Sequence, residues 1–95
     1  MAYTVFISPA AERDLEAAVD YYNEKAENLG YRFAELVDDY FGRIALAPTA
    51  SSVRYKDIRC KPMTTFPYLI MYSIDEGELK VNILRIFNIW KDPVW

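Results

Sequence analysis

The spacing of apolar and polar positions changes along the chain, and each change marks an element. Tyr3-Thr4-Val5-Phe6-Ile7 is rich in β-branched and aromatic residues and predicts a strand, ended by Ser8-Pro9. Ser8 suits a helix N-cap and Pro9 the first helical position, where the missing N–H has no intrahelical partner. Ala11, Leu15, Ala18, Val19 and Tyr22 then recur at helical spacing as one apolar stripe, with Arg13, Glu16 and Asp20 turned outward. Asn28-Leu29-Gly30 interrupts the pattern. Phe33, Leu36, Val37, Tyr40 and Ile44 resume it until Pro48 prevents continuation. Two helices joined by so short a turn pack as an antiparallel hairpin.

Neither helix buries its stripe alone, so the strands that follow supply the second layer. Val53–Lys61 reads as one strand with a bulge or bend at Lys56-Asp57, because its apolar residues switch parity there. Phe66–Ile74 is apolar on both parities, which predicts a central strand with Pro67 at its start. Asp75-Glu76-Gly77-Glu78 supplies a turn, and Leu79–Asn88 returns as the partner strand of a β-hairpin. Ile89–Trp95 reads as an irregular tail whose Trp rings clamp back on the sheet. The expectation is an α+β fold of order β-α-α-β-β-β, with a helical hairpin on a mainly antiparallel sheet of about four strands, in a single domain spanning residues 1–95.

Composition narrows the function classes. At 95 residues the chain holds one hydrophobic core, and 53% apolar residues with 16% aromatics suit a folded domain rather than a disordered one. The single cysteine, Cys60, cannot close a disulfide within the chain. The N-terminal MAYTVFISPAAERD lacks the basic start and apolar run of a secretory signal, and no stretch approaches the roughly 18 apolar residues of a membrane span. A cytoplasmic protein is expected, with no membrane association, metal or cofactor. The net charge of −3 argues against nucleic-acid binding over the whole surface. The charge is polarised: residues 1–40 hold 3 basic and 9 acidic side chains (net −6), and residues 41–95 hold 8 and 5 (net +3).

Taken together, the Ser-Pro-Ala-Ala start of an acidic helix, the segment from Arg59 through Phe66-Pro67-Tyr68-Leu69-Ile70-Met71-Tyr72, and the ending Ile83-Leu84-Arg85-Ile86-Phe87-Asn88 through Lys91-Asp92-Pro93 and Trp95 resemble the RelE/ParE toxins of type II toxin–antitoxin (plasmid stabilisation) systems. The resemblance covers nearly the whole chain. It implies two N-terminal helices on an antiparallel sheet and a cognate antitoxin as partner. RelE-like members cut messenger RNA on the ribosome. ParE-like members, which this chain resembles more in its Phe-Pro-Tyr strand, are associated with inhibition of DNA gyrase. Many relatives have His where Asn88 stands and Arg where Lys91 stands, and nuclease members tend to place Arg where this chain has Leu69.

RNA cleavage by a ribose 2′-hydroxyl needs a proton acceptor, cations for the phosphate and a donor to the leaving oxygen. The chain has no His, and Asn88 cannot exchange a proton near neutral pH. If the protein is an endoribonuclease, Arg59, Lys61, Arg85 and Lys91 are the catalytic candidates. Arg54, Lys56, Arg59, Lys61, Tyr68, Arg85, Asn88, Lys91 and Trp95 are the candidate target- or phosphate-binding set. For the basic strand residues the competing reading is a solvated edge that discourages strand pairing. Arg85 shares parity with Val81, Ile83, Phe87 and Ile89, so it either faces a cleft or pairs with a carboxylate. Tyr68 and Tyr72 either present hydroxyls to a ligand or pack in the core. Three functions follow: a toxin that binds a target protein such as gyrase, a ribosome-dependent endoribonuclease, or a weakened toxin kept as an antitoxin-binding module. Convergence of Arg59, Lys61, Arg85 and Lys91 favours the nuclease, and dispersal disfavours it.

Overall fold

Ser8 is the joint on which the fold turns. It separates strand β1 (Thr4–Ile7) from helix α1 (Pro9–Lys25), and its Oγ accepts the Ala11 N–H at 3.0 Å, as an N-cap should. The same hydroxyl donates to the Leu84 carbonyl at 2.9 Å, tying the helix start to a strand 76 residues away. The computed structural model describes residues 2–90. Helix α2 (Leu29–Leu46) follows a turn in which Asn28 takes a left-handed φ of 63°. There α2 meets α1 closely: the Gly30 N–H donates to Asn23 Oδ1 at 2.8 Å, and a Cβ on Gly30 would lie 2.1 Å from the Val19 carbonyl oxygen.

The sheet has five strands, ordered β1-β5-β4-β3-β2. The strand expected over Val53–Lys61 is two strands, β2 (Val53–Tyr55) and β3 (Ile58–Pro62), paired antiparallel. The parity switch at Lys56-Asp57 is a two-residue hairpin loop rather than a bend. Lys56 takes a φ of 53°, the positive value that tight hairpin loops need at their first position. Strands β4 (Tyr68–Asp75) and β5 (Lys80–Asn88) form the predicted hairpin, with Pro67 just before β4 and β4 at the centre of the sheet. In its loop the left-handed residue is Leu79 (φ 54°), not Gly77. β1 runs parallel to β5, pairing Thr4 with Lys80 through Ile7 with Ile83, so the sheet is mixed.

The predicted helix stripes pack on one face of this sheet. Ala11, Ala18, Phe33, Val37, Tyr40 and Ile44 are buried against Tyr68, Ile70, Tyr72, Val81, Ile83 and Ile86, with Leu15, Val19, Tyr22 and Leu36 around them. Rings of Tyr22, Phe33, Phe66 and Tyr68 meet at centroid separations of 4.8 to 6.2 Å and join both helices to the start of β4.

Candidate functional site

β1 covers the outer edge of β5 only as far as Ile83, because the chain turns away into α1 at Ser8. Beyond Ile83 the edge of β5 faces α1 instead of a strand. The β4–β5 register slips there: Tyr72 opposes Ile83 and Met71 opposes Arg85, leaving Leu84 as a bulge residue. This slip corrects the parity read from the sequence. Val81 and Ile83 are buried with Ile86, and Arg85 falls out of their row.

Arg85 is paired. Its Nε and Nη2 donate to the two carboxylate oxygens of Asp14 on α1, at 2.7 and 3.0 Å, in a two-point fork. The backbone N–H of Ile86 donates to Asp14 Oδ2 at 3.0 Å, so the carboxylate also caps the β5 edge just beyond the point where β1 pairing ends. The Asp14 side chain is 17% exposed and that of Arg85 41%. Arg85 is therefore both paired and cleft-lining. It forms part of the wall of a cleft of about 510 Å³ between α1 (Asp14, Ala17, Tyr21) and the end of the β4–β5 hairpin (Tyr68, Asn88, Trp90).

Tyr68 lines the cleft, and the Tyr22 ring packs against it at a centroid separation of 6.2 Å. Burial, reinforced by Tyr68, pushes the Tyr22 phenol up to about 12, and burial also raises Tyr68, with hydrogen bonds from Asn88 and Tyr22 opposing the shift. Hydrogen bonding to Asp14 raises Arg85 further, so its charge is permanent. Asn88 Oδ1 accepts the Trp90 N–H at 2.9 Å. Trp90 does not clamp back on the sheet as expected: it is 81% exposed at the rim, opposite the half-exposed Tyr21.

Of the residues singled out from sequence, Tyr68, Arg85 and Asn88 meet at this cleft. The other described cations lie elsewhere. Arg59 Nη1 donates to the Ser51 carbonyl at 2.6 Å and to the Thr49 carbonyl at 3.4 Å. Lys61 Nζ stands 5.7 Å from the centre of the Tyr40 ring, which Arg43 also faces at 4.9 Å. Between these cations, and chiefly through its hydrogen bond with Thr64, the Tyr40 phenol is lowered from its usual value. Arg54 and Lys56 are exposed at the β2 edge. Tyr72 is fully buried and its hydroxyl donates to the Pro48 carbonyl at 2.6 Å. Burial pushes the Cys60 thiol up, away from a reactive thiolate. Lys91 and Trp95 lie outside the described residues.

Asp14, Tyr21 and Trp90 were not among the predicted site residues. Asp14 carried a readable signal: it lies three residues after Ala11 and four before Ala18, inside the apolar stripe rather than on the solvated face. Among the described residues no group of three or more His, Cys, Asp or Glu could hold a metal ion, and no helix is long and apolar enough to cross a membrane.

Comparison with solved structures finds the same fold in toxin–antitoxin proteins. The chromosomal ParDE system from P. aeruginosa superposes with a TM-score of 0.79 at 14% identity, over 93% of this chain and 97% of that one. The RelBE2 toxin–antitoxin complex from Mycobacterium tuberculosis gives 0.65 at 24% identity, over 93% and 99%. A mutant of the E. coli toxin RelE in its free state gives 0.56 at 13% identity, over 90% and 82%. No curated protein matches the sequence. The model of the family described as the ParE toxin of the type II toxin–antitoxin system parDE matches residues 5–88. With nearly the whole chain matched and the fold in agreement, this protein belongs to the ParE toxin family of type II toxin–antitoxin systems.

Proposed function

We propose that this toxin acts by binding a target protein, with DNA gyrase the implied target, through the cleft between α1 and the end of β5, and that a cognate antitoxin neutralises it. The observation that carries the reading is the chemistry of the cleft. Burial raises the Tyr68 phenol that lines the cleft, and the Asp14 carboxylate accepts three hydrogen bonds. Of the catalytic candidates among the described residues, Arg85 alone lines the cleft, and its charge is compensated. A cleft whose carboxylate is taken up in three hydrogen bonds, bordered by the exposed Tyr21 and Trp90 rings, suits recognition better than proton transfer. The supercoiling activity of gyrase, assayed with an excess of folded toxin, tests the target. Inhibition is expected, and full supercoiling excludes gyrase.

A neutralising partner is supported by the ParDE and RelBE2 likenesses, both toxin–antitoxin systems. The outer groove between α1 and α2, lined by Leu15, Val19, Tyr31 and Ala34 with Glu16 and Asp20, is apolar surface suited to a partner helix. The second reading, a ribosome-dependent endoribonuclease, draws on the fold shared with RelE. Cleavage of messenger RNA on ribosomes by the purified toxin, with gyrase unaffected, is the result that installs it.

A further inference from the structure

The cleft contains one buried-to-exposed pair whose geometry goes beyond holding the fold together. Asp14 is the inner member and Arg85 the outer one. An arginine at a cleft wall ordinarily samples many rotamers, and ordering it on binding opposes association. Here the fork from Nε and Nη2 to one carboxylate fixes the guanidinium plane before any partner arrives. Nη1 takes no part in that fork. The third hydrogen bond, from the Ile86 N–H, anchors the same carboxylate to the β5 edge, so a single side chain sets both the orientation of Arg85 and the separation of α1 from β5.

We propose that Asp14 is a positioning residue for target recognition, holding Arg85 so that Nη1 is presented to a neutral hydrogen-bond acceptor, such as a backbone carbonyl, on a protein partner seated between Tyr21 and Trp90. This rests on the reading of the cleft as the target-binding surface. The partner's chemistry follows from the charge. Asp14 neutralises Arg85, and Arg54, Lys56, Arg59 and Lys61 are placed outside the cleft, so among the described residues a run of phosphates finds no cluster of uncompensated cations there. The exposed Tyr21 and Trp90 rings offer the apolar, amphipathic contact typical of protein interfaces.

The test is induced expression of the full chain without antitoxin, with surviving cells counted. The variants are Asp14→Asn, Arg85→Lys, the double variant and Asp14→Glu. Arg85→Lys leaves the Asp14–Ile86 bond available, and so separates loss of the fork from loss of the anchor. Asp14→Asn and Arg85→Lys are each expected to weaken killing about tenfold, the double variant no more than either single one, and Asp14→Glu to restore it. All should melt within about 10 °C of the parent chain. Undiminished killing by Asp14→Asn overturns the proposal. So does a loss confined to Asp14→Asn that tracks loss of folded protein while Arg85→Lys kills normally. Failure of the folded parent chain to arrest growth removes the reading of the cleft as well. A loss of ribosomal messenger RNA cleavage in these variants, with gyrase inhibition intact, puts a phosphate ligand in the cleft and overturns the protein partner.

Discussion

Two residues show how a side chain with the chemistry of a ligand can be committed to the fold. Arg59 was a candidate phosphate-binding and catalytic group, yet its guanidinium is bonded to the Thr49 and Ser51 carbonyls, and the Tyr72 hydroxyl holds the neighbouring Pro48 carbonyl. Together they fasten the 3-10 turn Pro48–Ala50 and the residue after it. Tyr72→Phe should therefore cost about 1–3 kcal/mol by leaving a buried acceptor unsatisfied. Arg59→Ala should lower the melting temperature while leaving growth arrest unchanged. A loss of killing by folded Arg59→Ala returns this residue to the target-binding set. Tyr22 shows the effect of burial on titration. Its folded-state value of about 12 lies above the ordinary 10.0, so its contribution to stability is fully present below about pH 10 and lost as pH rises through 12. Ultraviolet titration should find one phenol ionising near 12, and Tyr22→Phe should remove that step.

At the level of elements, the two helices depend on one close approach. Gly30 sits where a Cβ would overlap the Val19 carbonyl, whereas nothing lies within 4 Å of a Cβ on Gly42 in the same helix. Gly30→Ala should destabilise by about 1–3 kcal/mol, because backbone cannot move aside as a side chain can. Gly42→Ala should stabilise by about 0.5–1 kcal/mol through helix propensity alone. Thermal melts of both variants read the contrast, and a neutral Gly30→Ala disproves the close packing. The helices and the β4–β5 hairpin were legible because their signals are local: Ser8-Pro9 at the helix start, stripes at helical spacing, and a polar four-residue turn. The β2–β3 hairpin was misread as one bent strand. A Lys-Asp loop does not advertise a left-handed residue as glycine does, and only cross-strand pairing distinguishes the two outcomes.

For the whole molecule, dispersal of the cations decides more than their number. The C-terminal part of the chain is net basic, yet among the described residues its charges are spread over the β2 edge, the Pro48–Ala50 turn, the Tyr40 ring and the Asp14 fork. By itself the sequence determined the α+β class, the order of the elements, the core faces of both helices and the resemblance to the toxin family. Each of these rests on residues near one another in the chain or on their order along it. Only the tertiary structure decided that β1 joins the far edge of the sheet parallel to β5, that a bulge at Leu84 takes Arg85 out of the buried row, and that Asp14 waits 71 residues away to receive it. Strand order and register set which distant groups meet. Residue spacing within a segment carries no information about the partner that a turn elsewhere brings alongside.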